Sequence, residues 1–453
     1  MKIPHATLTK GAIWTTGSFA IGQLIRFATN VVLTRLLAPE LFGIMVIVYT
    51  LRSGVELISD VGIGQSIIYN KNAEDPDFYK TAWTLQSIRG IVLWIAACAA
   101  AAPMAHFYQI PTLTLIMSVA SLVLVLSGFT SVSQFLAQKK LLFAKLAAYE
   151  IIVVAISAAG QVGLAYFIPT IWGLVFGLLF SGVTVMIGSH FLLPEIKHRF
   201  KISGNYTWQI LHFGKWIFLS SIVYFLSISF DRLYLAGVIP LALLGVYGIA
   251  RNISELLSSM ALRLGNVVIF PFIAKHSEMP RADLHNQLGL IRLKYLLIAA
   301  FGFSFSAVTV DLAIKLVFDQ RYHAIGWMAT ILITGAWVSI LCSLNESTLL
   351  GLGKPRYGAI GNSLKFGWLL IALPLSFNYY GVLGSIMVIA ISDIFRYMSV
   401  IIGQVRERIV FGMQDLFATL LMFGLVGVFE YLRWILGFGT SFDSLPTFAR
   451  MAM

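Results

Sequence analysis

The sequence predicts an all-α polytopic membrane protein made of two pseudo-symmetric six-helix bundles. Three observations predict this class: a very apolar composition, a series of apolar stretches long enough to span a bilayer, and a partial repeat between the two halves. Hydrophobic residues make up 58% of the 453 residues and charged residues only 11%, whereas soluble domains carry about 25% charged residues. Backbone polar groups in hydrocarbon must be satisfied within their own segment, so the long apolar stretches are expected to be helices.

The apolar stretches number about 12, and each is longer than the roughly 20 residues that a helical span requires. They lie near 11–37, 41–68, 81–104, 112–136, 144–167, 169–193, 209–236, 240–271, 291–318, 325–350, 356–378 and 380–403. A weaker stretch at 412–437 carries Glu430 and Arg433 and is expected to form either an extra span or an amphipathic segment on the membrane surface. The connections are short and leave no room for a large soluble domain.

Basic residues alternate between successive connections. Lys139, Lys140 and Lys145 follow the fourth stretch, whereas the preceding connection, "APMAHFYQIP", has no lysine or arginine. This alternation, to which Arg35 and Arg321 are the main exceptions, follows the positive-inside rule and predicts a cytoplasmic N-terminus. The net charge of +12 is therefore explained by basic residues in the cytoplasmic connections, and nucleic acid is not expected as a partner.

Few residues point to catalysis or metal binding. Cys98 and Cys342 both lie inside predicted spans, which indicates neither a disulfide framework nor a metal site. The histidines are scattered, and neither H-E-x-x-H nor G-x-S-x-G occurs. We therefore expect no catalytic residues, no metal and no cofactor, and the protein is not predicted to be an enzyme.

The two halves partly repeat each other. The polar stretch "PEIKHRFKISGNYT" near the midpoint predicts a boundary between an N-terminal bundle, 1–198, and a C-terminal bundle, 199–405, followed by an extension at 406–453. The motif R-x-x-x-E occurs in the second predicted span of each half, as Arg52 with Glu56 and as Arg251 with Glu255. Six spans in each half place both halves in the same orientation, which is a transporter architecture with the substrate path between the halves.

Several ionisable side chains fall inside the apolar stretches. Such a group costs about 2.5–3.5 kcal/mol at mid-bilayer on insertion scales, so it normally faces a cavity or a partner. The basic residues predicted to line a substrate cavity are Arg26, Arg52, Arg89, Arg251, Arg263 and Lys365, and the acidic residues predicted to line it or to couple transport are Glu56, Asp60, Asp231 and Glu255.

Two explanations of these charges stay open at this point. The pairs Arg52 with Glu56 and Arg251 with Glu255 have i,i+4 spacing and could be purely structural ion pairs. In contrast, Arg26 has no acidic residue three or four positions away. A surplus of buried arginine predicts an anionic ligand, and the planar guanidinium is suited to phosphate.

Two adjacent motifs carry a family resemblance. "TRLLAPELFGIMVI" followed by "ELISDVGIGQSII" resembles the N-terminal signature of Wzx-type oligosaccharide flippases, in the polysaccharide-transporter branch of the MATE-like (MOP) superfamily. The resemblance covers roughly residues 8 to 405 and is most specific at 33–68. Within this group the chain is similar to exopolysaccharide and lipopolysaccharide exporters.

The resemblance implies a MATE-like fold and a function. Such proteins move polyprenyl-diphosphate-linked oligosaccharides across the bacterial inner membrane by alternating access through a cationic central cavity. By position, Arg26 and Arg52 match basic residues that line this cavity in related flippases, and Arg251 is the counterpart of Arg52 in the second half. The acidic residues would hold the arginines in place or titrate, and the fold is compatible with H⁺ or Na⁺ coupling. The implied partners are the lipid-linked oligosaccharide, membrane lipids and a polysaccharide polymerase or export complex.

Other functions are weighed against this one. A multidrug or organic-ion antiporter of the same fold predicts an acidic and aromatic cavity, which the surplus of arginine disfavours. A membrane enzyme usually places its catalytic residues on a large extracytoplasmic loop, and the outer connections here are short. A scaffolding role without transport does not explain why both halves carry charges inside the membrane.

Overall fold

The computed structural model describes residues 5–59, 62–275 and 279–445. The helices in this part are α1 (His5–Leu36), α2 (Pro39–Ile58), α3 (Ile63–Tyr69), α4 (Pro76–Phe107), α5 (Leu113–Ala120), α6 (Leu122–Gly128), α7 (Ser133–Lys139), α8 (Phe143–Phe167), α9 (Ile171–Leu192), α10 (Gly204–Val238), α11 (Leu241–Lys275), α12 (Arg281–Val317), α13 (Ile325–Gly351), α14 (Arg356–Ile391), α15 (Asp393–Arg406) and α16 (Gly412–Ile435). Two short 3₁₀ helices lie at Gln320–Tyr322 and Ser441–Ser444.

The predicted all-α, multi-span class is confirmed. Among the described residues, 9 helices are long and apolar enough to cross a membrane, or 10 if the bent segment α5–α7 counts as one span. The number of 12 core spans stays a prediction.

The chain forms two compact units. Unit 1 comprises Met1–Phe225 and Ala236–Ala242, and unit 2 comprises Leu226–Leu235 and Leu243–Met453. Helix α10 therefore contributes to both. The predicted limits at 1–198, 199–405 and 406–453 derive from a sequence repeat. The division into compact units does not test a repeat, so these limits stay a prediction.

In unit 1, α8 packs against α1 and α9, and α4 packs against α5 and α6. The polar segment after α9, residues 194–207, forms polar contacts with the start of α4. Lys201 forms an ion pair of 2.6 Å with Asp77, and the Tyr206 hydroxyl donates a hydrogen bond of 2.7 Å to Asp75. The hydrogen bond from Tyr206 lowers the pKa of the Asp75 carboxyl. This segment, which sequence analysis identifies as the boundary between halves, is therefore held against unit 1.

The apolar stretch predicted at 112–136 is not one straight helix. It is divided into α5, α6 and α7, with a bend of 48° before α7. At the break the Gln86 side chain of α4 donates hydrogen bonds of 3.1 to 3.2 Å to the carbonyl oxygens of Ser127, Gly128 and Thr130. A hydropathy pattern does not register this break, because the group that stabilises it belongs to another helix.

The same region contains a close helix contact at Gly90 of α4. A Cβ atom there would lie 2.6 Å from the Leu124 carbonyl oxygen and 2.9 Å from the Gly128 Cα atom. We therefore expect Gly90→Val to force α4 and α6 apart and to lower the free energy of unfolding by about 1–3 kcal/mol. Thermal unfolding of the purified protein in detergent measures this effect.

Gly163→Val is the matched control. Gly163 lies on α8, and a Cβ atom there would have no neighbour within 4 Å, so we expect a change within about 0.5 kcal/mol. Equal unfolding temperatures for the two variants would show that the contact at Gly90 does not limit stability.

In unit 2, α12 packs against α13 and α16, and α15 packs against α13 and α14. Two buried ion pairs fasten α16 to α12, one near each end of α16. Arg292 pairs with Asp415, and Arg433 pairs with Asp311 at 2.6 Å. This arrangement favours an extra span over a surface segment for the stretch at 412–437, because a 24-residue helix packed lengthwise is about 36 Å long.

Candidate functional site

The candidate site in unit 1 is built on α2 and α4. Helical spacing places Arg52, Glu56 and Ser59 on one face near the C-terminal end of α2. Arg89 of α4 donates a hydrogen bond of 2.7 Å from Nη2 to the Glu56 carbonyl oxygen and one of 3.0 Å to the Ser59 hydroxyl. The last carbonyl oxygens of a helix lack partners within it and carry partial negative charge. Arg89 therefore caps α2 and sets the position of its charged face.

Arg52 and Glu56 do not form the i,i+4 ion pair that one of the two explanations predicts. Within the described residues neither side chain takes part in an ion pair, and Arg52 Nε is buried without a hydrogen-bond partner. A buried, unsatisfied polar group is costly, and more so when it is charged. The charged face of α2 therefore has the capacity to bind an anion.

Arg26 lies on α1, which packs against α8. Its side chain is exposed, and none of the described ion pairs includes it. A separate contact joins the same two helices, since Ser18 donates a hydrogen bond of 2.9 Å to Glu150. The structure thus brings Arg89 to the face of Arg52 and Glu56, and it places Arg26 on a different helix of the same unit.

In unit 2 the repeated motif has a different environment. Arg251 lies 3.1 Å from Glu255 and 3.5 Å from Asp231, and Arg232 lies 2.6 Å from Glu255. The Tyr247 hydroxyl donates a hydrogen bond to Asp231. The i,i+4 ion pair that is absent from α2 therefore occurs in α11, where Asp231 and Arg232 of α10 add one acidic and one basic group.

A second set of ion pairs lies in the same unit. Lys365 of α14 pairs with Asp393 of α15 at 2.9 Å, and Arg396 pairs with Glu346 and approaches Asp393 at 3.9 Å. The basic groups of the two sets are Arg232, Arg251, Lys365 and Arg396, and the acidic groups are Asp231, Glu255, Glu346 and Asp393. The cluster in unit 2 is therefore balanced in formal charge, whereas no carboxylate among the described residues pairs with Arg52 in unit 1.

Two predicted site residues lie outside the described part of the structure. They are Asp60 and the side chain of Arg263. Sequence reasoning also did not assign Arg232, Arg396 and Glu346 to the site. Their partners are 23 and 50 positions away on other helices, so no spacing in the sequence reveals the pairing.

Comparisons with known proteins agree with this architecture. Residues 32–326 match the family described as polysaccharide biosynthesis protein. The chain is 24% identical over 295 residues to the lipopolysaccharide biosynthesis protein WzxC of Escherichia coli (strain K12), an alignment covering 64% of the chain and 60% of that protein. It is 22% identical over 269 residues to the succinoglycan biosynthesis transport protein ExoT of Rhizobium meliloti (strain 1021), covering 58% of the chain and 53% of that protein. The chain thus matches less than two thirds of the length of these relatives.

Solved structures show the same fold. The lipid II flippase MurJ in an inward closed conformation superposes with a TM-score of 0.69 at 13% identity, covering 94% of this chain and 92% of that one. An inward-facing multidrug resistance MATE family transporter of the MOP superfamily superposes with a TM-score of 0.63 at 15% identity, covering 85% and 94%. The family match covers more than half of the sequence, and its span includes the charged face of α2 as well as α10 and α11. The chain belongs to the polysaccharide biosynthesis protein family of multi-pass membrane proteins.

Proposed function

We propose that this protein is a flippase that moves polyprenyl-diphosphate-linked oligosaccharide units across the bacterial inner membrane for exopolysaccharide or lipopolysaccharide synthesis. Three findings support the proposal: the family to which the chain belongs, relatives named for lipopolysaccharide biosynthesis and succinoglycan transport, and a fold shared with a lipid II flippase. The single observation that carries it is Arg52 on the charged face of α2, whose buried Nε atom lacks a hydrogen-bond partner and which forms no ion pair among the described residues.

A diphosphate matches the chemistry of this face. Its oxygens accept hydrogen bonds from the fork of a guanidinium, and such charge-assisted bonds are about twice as strong as neutral ones. Arg52 would bind the diphosphate directly, and Arg26 would contribute a second positive charge from α1. Arg89 is already engaged at the end of α2, so its role is to position Arg52 and Glu56.

The balanced cluster in unit 2 has a different proposed role. Arg251 and Lys365 are held by carboxylates, so they are available to an anion only when those pairs open. Alternating access requires such changes during a transport cycle. Asp231 and Glu255 are the groups whose protonation, or whose binding of Na⁺, would release Arg251, and they are the proposed site of coupling. Arg263 and Asp60 remain proposed cavity residues.

The cellular setting follows from the same proposal. The N-terminus lies in the cytoplasm, in agreement with the alternation of basic connections. The protein receives its substrate in the cytoplasmic leaflet and delivers it to a polysaccharide polymerase or export complex on the other side. It acts as a transporter, and it makes and breaks no covalent bond.

The test uses a host strain in which the gene is deleted. A membrane-impermeant glycan-labelling reagent measures the lipid-linked oligosaccharide on the outer face of the inner membrane in spheroplasts. We expect labelling and polymer to be lost on deletion, with oligosaccharide accumulating inside, and both to return with the intact gene. Normal labelling without the gene, together with increased sensitivity to cationic drugs, would replace the flippase with the alternative, a multidrug antiporter.

A further inference from the structure

A long apolar groove runs between α8 and α9 of unit 1. Its volume is 810 Å³, and apolar side chains of the two helices form most of its walls. The lining includes Lys145, Tyr149 and Ile156 of α8 and Phe180, Thr184 and Phe191 of α9. Arg26, Arg52 and Arg89 do not line this groove, so it is separate from the candidate site on α2.

Among the residues that line the groove, Lys145 is the one with a formal charge, and it lies at one end. Lys145 lies in the first turn of α8 and is exposed, and no ion pair includes it in the described part of the chain. In contrast, nearby Lys139 donates a hydrogen bond to the Asn70 carbonyl oxygen and Lys140 pairs with Glu74. The start of α8 has neither a side-chain cap nor an acidic residue in its first turn. A helix N-terminus disfavours a cation and favours an anion, so Lys145 at this position leaves a net attraction for negative charge.

The length of the groove identifies the kind of chain that fits it. Lys145 and Ile156 line the groove 11 positions apart on α8, which corresponds to about 16 Å at 1.5 Å per residue. The hydrocarbon core of a bilayer is about 30 Å thick, so the groove spans about one leaflet. An acyl chain of a phospholipid has this reach, whereas a long polyprenyl chain exceeds it.

We propose that this groove binds an anionic phospholipid, with an acyl chain along α8 and α9 and the headgroup phosphate at Lys145 and the N-terminus of α8. The predicted basic connections place this end at the cytoplasmic leaflet, where anionic lipids attract lysine with about 1 kcal/mol for each residue near the surface. Occupancy of the groove in unit 1 would then depend on the content of anionic phospholipid in that leaflet. The inference does not depend on the proposed transport function, because its test measures lipid binding alone.

The experiment uses the full-length protein, purified and delipidated in detergent, with lipid binding measured by native mass spectrometry. The probes are phosphatidylglycerol and phosphatidylethanolamine with identical acyl chains. We expect the unchanged protein to prefer phosphatidylglycerol. Lys145→Ala should weaken phosphatidylglycerol binding about fivefold and leave phosphatidylethanolamine binding unchanged. Thr184→Phe, which fills the groove from α9, should weaken the binding of both lipids.

Two control variants locate the effect. Lys71→Ala removes another exposed lysine without an ion pair in the described residues, and Gly163→Phe introduces the same phenylalanine side chain on α8 at an open position. Both should bind lipid as the unchanged protein does. Equal binding of the two lipids by the unchanged protein, or equal losses in Lys71→Ala and Lys145→Ala, would overturn the proposal. Displacement of phosphatidylglycerol by a lower concentration of a polyprenyl phosphate would also overturn it, because the groove would then be a site for the substrate.

Discussion

Replacement of Arg52 by glutamine is expected to reduce delivery of the oligosaccharide to the outer leaflet about 10- to 100-fold. The guanidinium is partly buried, and its Nε atom lacks a partner, so the variant would lose charge-assisted hydrogen bonds to the diphosphate worth about 1.5–3 kcal/mol. The impermeant glycan label measures this loss in the deletion strain carrying the variant gene, with protein abundance determined in the same membranes.

Two further variants test whether the loss of delivery is specific to the Arg52 guanidinium. Arg199→Gln removes an exposed arginine outside the helices and should leave delivery unchanged. Arg52→Lys keeps the charge but not the planar fork, so it should restore delivery only in part. If Arg52→Gln delivers oligosaccharide as well as Arg199→Gln does, the charged face of α2 does not bind the substrate.

Replacement of Asp415 by alanine is expected to lower the free energy of unfolding by about 3–5 kcal/mol. Arg292 is 0% exposed, and in the variant its charge would keep the amide oxygens of Asn345 and Gln414 and the face of the Phe411 ring, but no carboxylate. Tyr397 would lose its partner as well. The loss appears as a lower midpoint of thermal unfolding for the protein in detergent.

Comparison with an exposed ion pair provides the control for this effect. Lys201→Ala breaks the pair with Asp77, in which both side chains are nearly half exposed, and exposed pairs contribute about 0–1 kcal/mol. The double variant Arg292→Met with Asp415→Leu removes both buried charges and should recover most of the stability that Asp415→Ala loses. If Asp415→Ala unfolds at the same temperature as Lys201→Ala, the ion pair does not hold α16 in place.

Much of the fold could be predicted from the sequence because the signal for a span is local. The apolar stretch at 144–167 predicts a helical span, and α8 extends over Phe143–Phe167. The stretch at 325–350 likewise corresponds to Ile325–Gly351. A run of about 20 apolar residues both reaches across hydrocarbon and satisfies its own backbone only as a helix, so length and composition are sufficient. The break near Gly128 was missed, because the Gln86 amide that supports it is distant in the sequence.

The sequence by itself determined which helices carry charges, since residue identity and the cost of removing a charge from water do not depend on the partners. Only the tertiary structure decided what each charge does. The motifs at Arg52 and Arg251 have the same spacing, yet α10 supplies Asp231 and Arg232 to the second, whereas Arg52 in α2 has no carboxylate partner among the described residues. Likewise, Arg433 holds α16 to α12 through a residue 122 positions away. An ion pair depends on which side chains lie within a few ångströms, and that distance is set by helix packing and not by separation along the chain.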